Sequence, residues 1–136
     1  MALILDTSAL IEIERRLQTG DLSGLPLGEP VILPAIVWAE ALIGVRLADT
    51  SERAARRRGH LEVVRRHAHL QPFTAEIAED YADIFAELKR EGAMLPQNDL
   101  AVAATARFLR CDVLTGPEDE AHFRRVKGLG LQVIPR

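Results

Sequence analysis

The sequence predicts an α/β fold in which a parallel sheet is covered by helices on both faces. Short runs of Leu, Ile and Val alternate along the chain with longer segments of helical spacing, and the runs are apolar throughout rather than every second residue. A carboxylate, Asp6, stands directly after the first such run, and a polar loop follows Leu114, at the strand ends where open α/β sheets bind their ligands.

Residues 2–5, ALIL, read as a buried strand. Asp6-Thr7-Ser8 then caps a helix over 9–17. A Gly/Pro-rich loop over 20–30 leads to the second run, Val31-Ile32-Leu33, and Pro34 opens a helix through about Leu47. An arginine-rich amphipathic helix is expected over 51–68, a short strand over Leu70 to Phe73, and a helix from Thr74 to Glu91 that Gly92 ends. After the loop through Pro96, Asn98-Asp99 stand at the mouth of a helix over about 99–110. Val113-Leu114 form a further strand, 119–127 a short helix and Leu131 to Ile134 the last strand.

With 136 residues and no linker or repeat, residues 1–136 are expected to form one domain. Aromatic residues make up only 4%, so the core must come from aliphatic side chains. One cysteine, Cys111, can form no internal disulfide. No run is apolar enough to span a bilayer and none resembles a leader peptide, so a soluble, cytoplasmic protein without membrane contact is expected. The net charge of −3 excludes a generally basic nucleic-acid binder, yet residues 53–66 hold six arginines and one glutamate.

The informative residues are isolated acids. Asp6 is the only charged residue in 1–11, Glu40 the only one in 31–45 and Asp99 the only one in 92–106. Ile36, Glu40, Ile43 and Leu47 form a helical stripe, so Glu40 is expected on an apolar face. A carboxylate there is costly unless a cation or good donors meet it. A buried arginine or a backbone group would meet Glu40 equally well, and helix capping would explain Asp6 and Asp99 singly. One divalent ion would explain all three. Oxygen ligands select Mg²⁺, with Mn²⁺ as a substitute, and such ions serve phosphoryl chemistry. The chain has no GxxxxGK[ST] loop, no GxSxG, no HExxH and no DxD after the first strand. Nucleic-acid phosphodiester hydrolysis remains. The four histidines, at 60, 67, 69 and 122, show no paired ligand spacing and read as solvated or satisfied.

LDTSALIEI, AIVWAEALIGV, NDLAVAATA and LTGPEDEAHFRRVKGLGLQVI, in this order and over the full length, resemble the PIN-domain ribonucleases, specifically VapC-type toxins of toxin–antitoxin pairs. The resemblance implies a three-layer fold with sheet order 3-2-1-4-5 and a catalytic, Mg²⁺-binding ring of Asp6, Glu40, Asp99 and a fourth acid. Ser8 and Thr115 would support it. Pro117 stands where the family has an Asp or Asn two residues after the Thr. Counting back from His122-Phe123 selects Asp119 across a two-residue insertion, with Glu118 the competing carboxylate.

The resemblance further implies an endoribonuclease acting on structured RNA such as tRNA or rRNA, a homodimer, and inhibition by a VapB-type antitoxin in a hetero-oligomer. The arginines fit this independently. Arg46, Arg53, Arg56, Arg57, Arg58, Arg65 and Arg66, with Arg124 and Arg125 near the proposed site, would meet RNA phosphates or an acidic antitoxin. Equally, the arginine helix would be a solvated face paired with Glu52 and Glu62. Three rival readings stay open: a metal-free ribonuclease built on His122, a non-cutting RNA- or protein-binding module, and an RNA-processing nuclease without toxicity.

Overall fold

The computed structural model describes residues 1–135. The elements run β1 (Leu3–Leu5), α1 (Thr7–Thr19), β2 (Val31–Pro34), α2 (Ala35–Arg46), α3 (Ser51–His67), β3 (Ala68–Gln71), α4 (Ala75–Glu91), α5 (Gln97–Leu109), β4 (Asp112–Thr115), α6 (Glu120–Arg124) and β5 (Leu131–Val133). The strands form one all-parallel sheet in the order β3-β2-β1-β4-β5, as expected.

β1 is the hub. It pairs with β2 on one edge and β4 on the other, and α1 and α5 pack on it. Successive strand residues face opposite sides of a sheet, and Leu3, Ile4 and Leu5 are all fully buried, so both faces are covered. From β1 the chain first builds outward through β2 and β3, then returns to add β4 and β5 on the other edge. The crevice at this switch lies beyond the carboxyl ends of β1 and β4. Asp6 directly follows β1, and Thr115 ends β4.

Most element boundaries differ from the sequence reading by a residue or two, and four differences are instructive. α1 begins at Thr7 because Asp6 itself caps it. β3 starts at Ala68, not Leu70, because Ala68 is already extended where α3 ends and pairs with Val31. α5 begins at Gln97 behind Pro96, so Asp99 is its third residue and makes no cap bond. α6 stops at Arg124.

The core is aliphatic apart from Phe123, the bulkiest of the fully buried side chains. Every residue of α5 from Leu100 to Ala106 is buried, and its alanines let neighbouring helices approach closely; Thr105 satisfies its hydroxyl on the Ala101 carbonyl at 2.8 Å. A tertiary ion pair ties α1 to α3: Arg57 meets buried Glu14 at 3.2 Å, with its guanidinium laid against Gly44 of α2. A Cβ at Gly44 would meet the Arg57 guanidinium and displace it from this seat. No helix among the described residues is long and apolar enough to cross a membrane.

Candidate metal centre

Asp6 is the structural root of the site. It caps α1 in extended conformation, and Oδ1 accepts the Ala9 amide at 2.7 Å. The Ser8 hydroxyl donates to the carboxylate at 2.9 Å and Thr115 Oγ1 donates to Oδ2 at 2.5 Å. Ser8 Oγ in turn accepts the Gly116 amide at 2.9 Å, tying the start of α1 to the end of β4. Ser8 and Thr115 thus sit where the sequence reading placed its supports. Asp6 has no exposed surface, and burial pushes its carboxyl up to about 6. The hydrogen bonds oppose that rise, and the nearby charge of Asp119 adds to it.

Above Asp6 opens a cleft of about 500 Å³ whose wall includes Thr7, Ser8, Glu40, Asp99, Asp119 and His122. Glu40 enters from α2, and its Oε1 accepts the Thr7 hydroxyl at 2.6 Å. The stripe predicted to bury Glu40 does not face the core. Val37, Ala41 and Val45 do, while Ile43 and Leu47 are 56% and 78% exposed. Glu40 is therefore half-buried on the open side of an all-round apolar helix, where a helical wheel cannot tell core from groove.

Asp99 enters from the first turn of α5, and its Oδ2 lies 2.7 Å from His122 Nδ1. Asp119, just before α6, brings Oδ1 to 3.7 Å from the same nitrogen. One donor atom from each of the three lies within 4.8 Å of the others. Burial raises the Asp99 carboxyl above its ordinary range; His122 opposes this, and the charges of Asp119 and Glu40 reinforce it. Glu118 is exposed and stands beside Pro117 and Arg15, outside this cleft. Of the two competing carboxylates, Asp119 is the one on the cleft wall.

Three carboxylates and an imidazole thus line the cleft with no lysine or arginine among them, and burial with nearby negative charge raises the carboxyls of Asp99 and of Asp6 beneath it. This donor set fits a divalent cation. Asp6 does not line the cleft; it supports it from beneath.

Thr7, adjacent to Asp6, escaped the sequence reading and anchors Glu40. His122, given there only a metal-free role in a rival mechanism, bridges Asp99 and Asp119.

The arginines separate into engaged and open ones. Arg57 is consumed by Glu14; Arg58 by Glu62 and by the Trp38 ring, 5.7 Å from its centroid; Arg53 pairs with Asp49 rather than Glu52. Arg124 pairs with Glu120 and Arg125 donates to the Met94 carbonyl, so these two fix α6 and the loop before α5 and do not line the cleft. Arg46, Arg56 and Arg66 remain exposed.

Comparison with known proteins agrees with this arrangement. Residues 3–129 match the PIN domain family. Ribonuclease VapC of Rickettsia bellii (strain RML369-C) is 30% identical over 136 residues, spanning 99% of this chain and 98% of that protein. Among solved structures, FitAcB from Neisseria gonorrhoeae superposes with a TM-score of 0.77 at 26% identity, covering 96% of both chains. VapBC-5, a toxin–antitoxin member from Mycobacterium tuberculosis, gives 0.74 at 25% identity over 99% of this chain and 98% of that one. VapBC2 from Rickettsia felis, bound to a promoter DNA fragment, gives 0.82 at 21% identity over 99% and 100%, a likeness of fold. With the family match over residues 3–129, a full-length VapC relative and a shared fold, this chain belongs to the PIN-domain family, in the VapC-type branch.

Proposed function

We propose that the protein is a divalent-cation-dependent endoribonuclease, the toxin of a toxin–antitoxin pair, and that Asp6, Glu40, Asp99 and Asp119 are its working acids. The observation that carries this reading is the convergence of Glu40, Asp99 and Asp119 over buried Asp6 at the switch point of the sheet. A bound ion of the magnesium–manganese class would supply charge neutralisation at a phosphate and a lowered pKa for an attacking water.

The chain's own residues do the rest. Asp99 and Asp119 face the cleft as ion-holding donors, and Asp6 adds a fixed negative charge from below, clamped by Ser8, Thr115 and the Ala9 amide. Glu40, anchored through Oε1 by Thr7, keeps Oε2 free to orient a water and accept its proton. In-line attack by that water on an RNA phosphodiester leaves 5′-phosphate and 3′-hydroxyl ends and needs no protein nucleophile. Structured RNA, a tRNA or rRNA, is the proposed substrate class. A cognate antitoxin, bound in a hetero-oligomer with a toxin homodimer, is the proposed regulator, consistent with the toxin–antitoxin complexes among the structural neighbours. A cytoplasmic site of action accords with these partners.

The test is incubation of purified protein with total RNA, with and without chelator, followed by end mapping. Chelator-sensitive cuts bearing 5′-phosphates support the reading. Cleavage that survives chelator and leaves cyclic phosphates would instead assign the chemistry to His122 acting without metal.

A further inference from the structure

The geometry of the cleft points to His122 as a direct cation ligand: one divalent ion is held by Asp99, Asp119 and the His122 imidazole nitrogen, and this mixed donor set favours manganese-class ions over magnesium. The inference rests on the reading of the cleft as a cation site and adds the donor that an all-carboxylate site lacks.

Nδ1 of His122 lies 2.7 Å from Asp99 Oδ2 and 3.7 Å from Asp119 Oδ1. Two donors bound at about 2.1 Å to one ion stand about 3.0 Å apart at a right angle and about 3.6 Å apart at 120°. The two separations from His122 fall within a few tenths of an ångström of these values, and all three donors lie within 4.8 Å of one another, close enough to gather on one ion by side-chain movement. The start of α6 brings Asp119 beside His122, and the Asp99 carboxylate from α5 meets the same nitrogen, so three potential donors from two elements share one point. The ring's backbone is also well fixed: Phe123, the next residue, is buried in the core and seats α6.

Imidazole is a softer donor than a carboxylate. Magnesium takes it poorly, whereas manganese and the later divalent metals accept it alongside oxygen. His60, His67 and His69 lie on α3 and β3, away from the cleft wall, and serve as internal controls.

The experiment is pulsed electron paramagnetic resonance of the wild-type protein loaded with Mn²⁺, with calorimetry of Mn²⁺ and Mg²⁺ binding to wild type and His122→Gln. A directly coordinated ¹⁴N coupling is expected in wild type and its loss in the variant. Mn²⁺ affinity should fall about tenfold or more in His122→Gln, while Mg²⁺ affinity changes by less than about twofold. A Mn²⁺ complex without ¹⁴N coupling overturns the inference while leaving the cation site intact. Equal loss of both ions also overturns it, making His122 a positioning residue that acts through Asp99. Failure of Mn²⁺ to bind at all overturns this inference and the cation-site reading together. Should His122→Gln fail to fold, the wild-type spectrum still decides, and histidine-labelled nuclear resonance must then show Mn²⁺ broadening His122 before the other three.

Discussion

Replacing Asp6 by asparagine should stabilise the ion-free protein and abolish its cleavage of RNA. Asp6 is fully buried, and its carboxyl is raised from 3.8 to about 6, chiefly by burial. Ionising it therefore costs about 3 kcal/mol more in the fold than in the unfolded chain. The sign follows from proton uptake. Between pH 4 and 6 the folded state holds a proton that the unfolded state has lost, so stability falls as pH rises through this window, and the full penalty applies above it.

Asparagine removes that penalty and keeps the local bonding. Its oxygen still accepts the Ala9 amide, and its NH₂ donates to the Thr115 hydroxyl, which can turn toward the Gly116 carbonyl it already approaches at 3.3 Å. Imperfect hydrogen bonding will offset part of the gain, leaving about 1–3 kcal/mol at pH 7.5, or a melting temperature higher by roughly 5 °C. Thermal unfolding in chelator at pH 7.5 and pH 4 measures both the sign and the window. The variant should be the more stable at pH 7.5, and the difference should nearly vanish at pH 4. A destabilised variant, or a difference independent of pH, would refute the argument that Asp6 is a strained, functionally retained charge.

Other consequences are equally direct. Asp119→Ala should lower cleavage at least about a hundredfold, whereas Glu118→Ala, altering an outward-facing carboxylate, should leave it within about twofold, read in one RNA assay. Arg57→Ala should cost about 1–3 kcal/mol in chemical denaturation by stranding buried Glu14, and Arg57→Ala with Glu14→Gln should recover part of that loss. Thr7→Val should preserve the fold and lower kcat without weakening cation binding, because it releases Glu40 while leaving Asp99 and Asp119 in place; calorimetry and kinetics separate the two effects. Adding Mn²⁺ to wild type should raise the melting temperature in proportion to the logarithm of ion concentration, and this rise should be largely absent in Asp99→Asn.

Much of this was legible because burying charge is expensive. Asp6, Glu40 and Asp99 stood out as lone acids in apolar windows, and all three do meet at one end of the sheet. Asp119 and His122 lie in PEDEAHFRR, where Asp119 is flanked by Glu118 and Glu120 and charge is dense, so isolation carries no signal; only the fold shows which of those side chains turns inward. The strands were readable because β1 and its neighbours are buried on both faces and so continuously apolar. The misplaced face of Glu40 has the opposite cause: α2 is apolar all round, and periodicity is silent on which side meets solvent. Arginine roles were also hidden, since the partner of Arg57 lies 43 residues away in sequence.

The most direct test of the account is a matched cleavage assay of wild type and Asp99→Asn on a defined structured RNA in Mn²⁺ and in Mg²⁺, with folding checked by circular dichroism. Site-specific cuts with 5′-phosphate ends are expected from wild type and none above background from the folded variant. Wild-type cleavage rates from folded Asp99→Asn would contradict it.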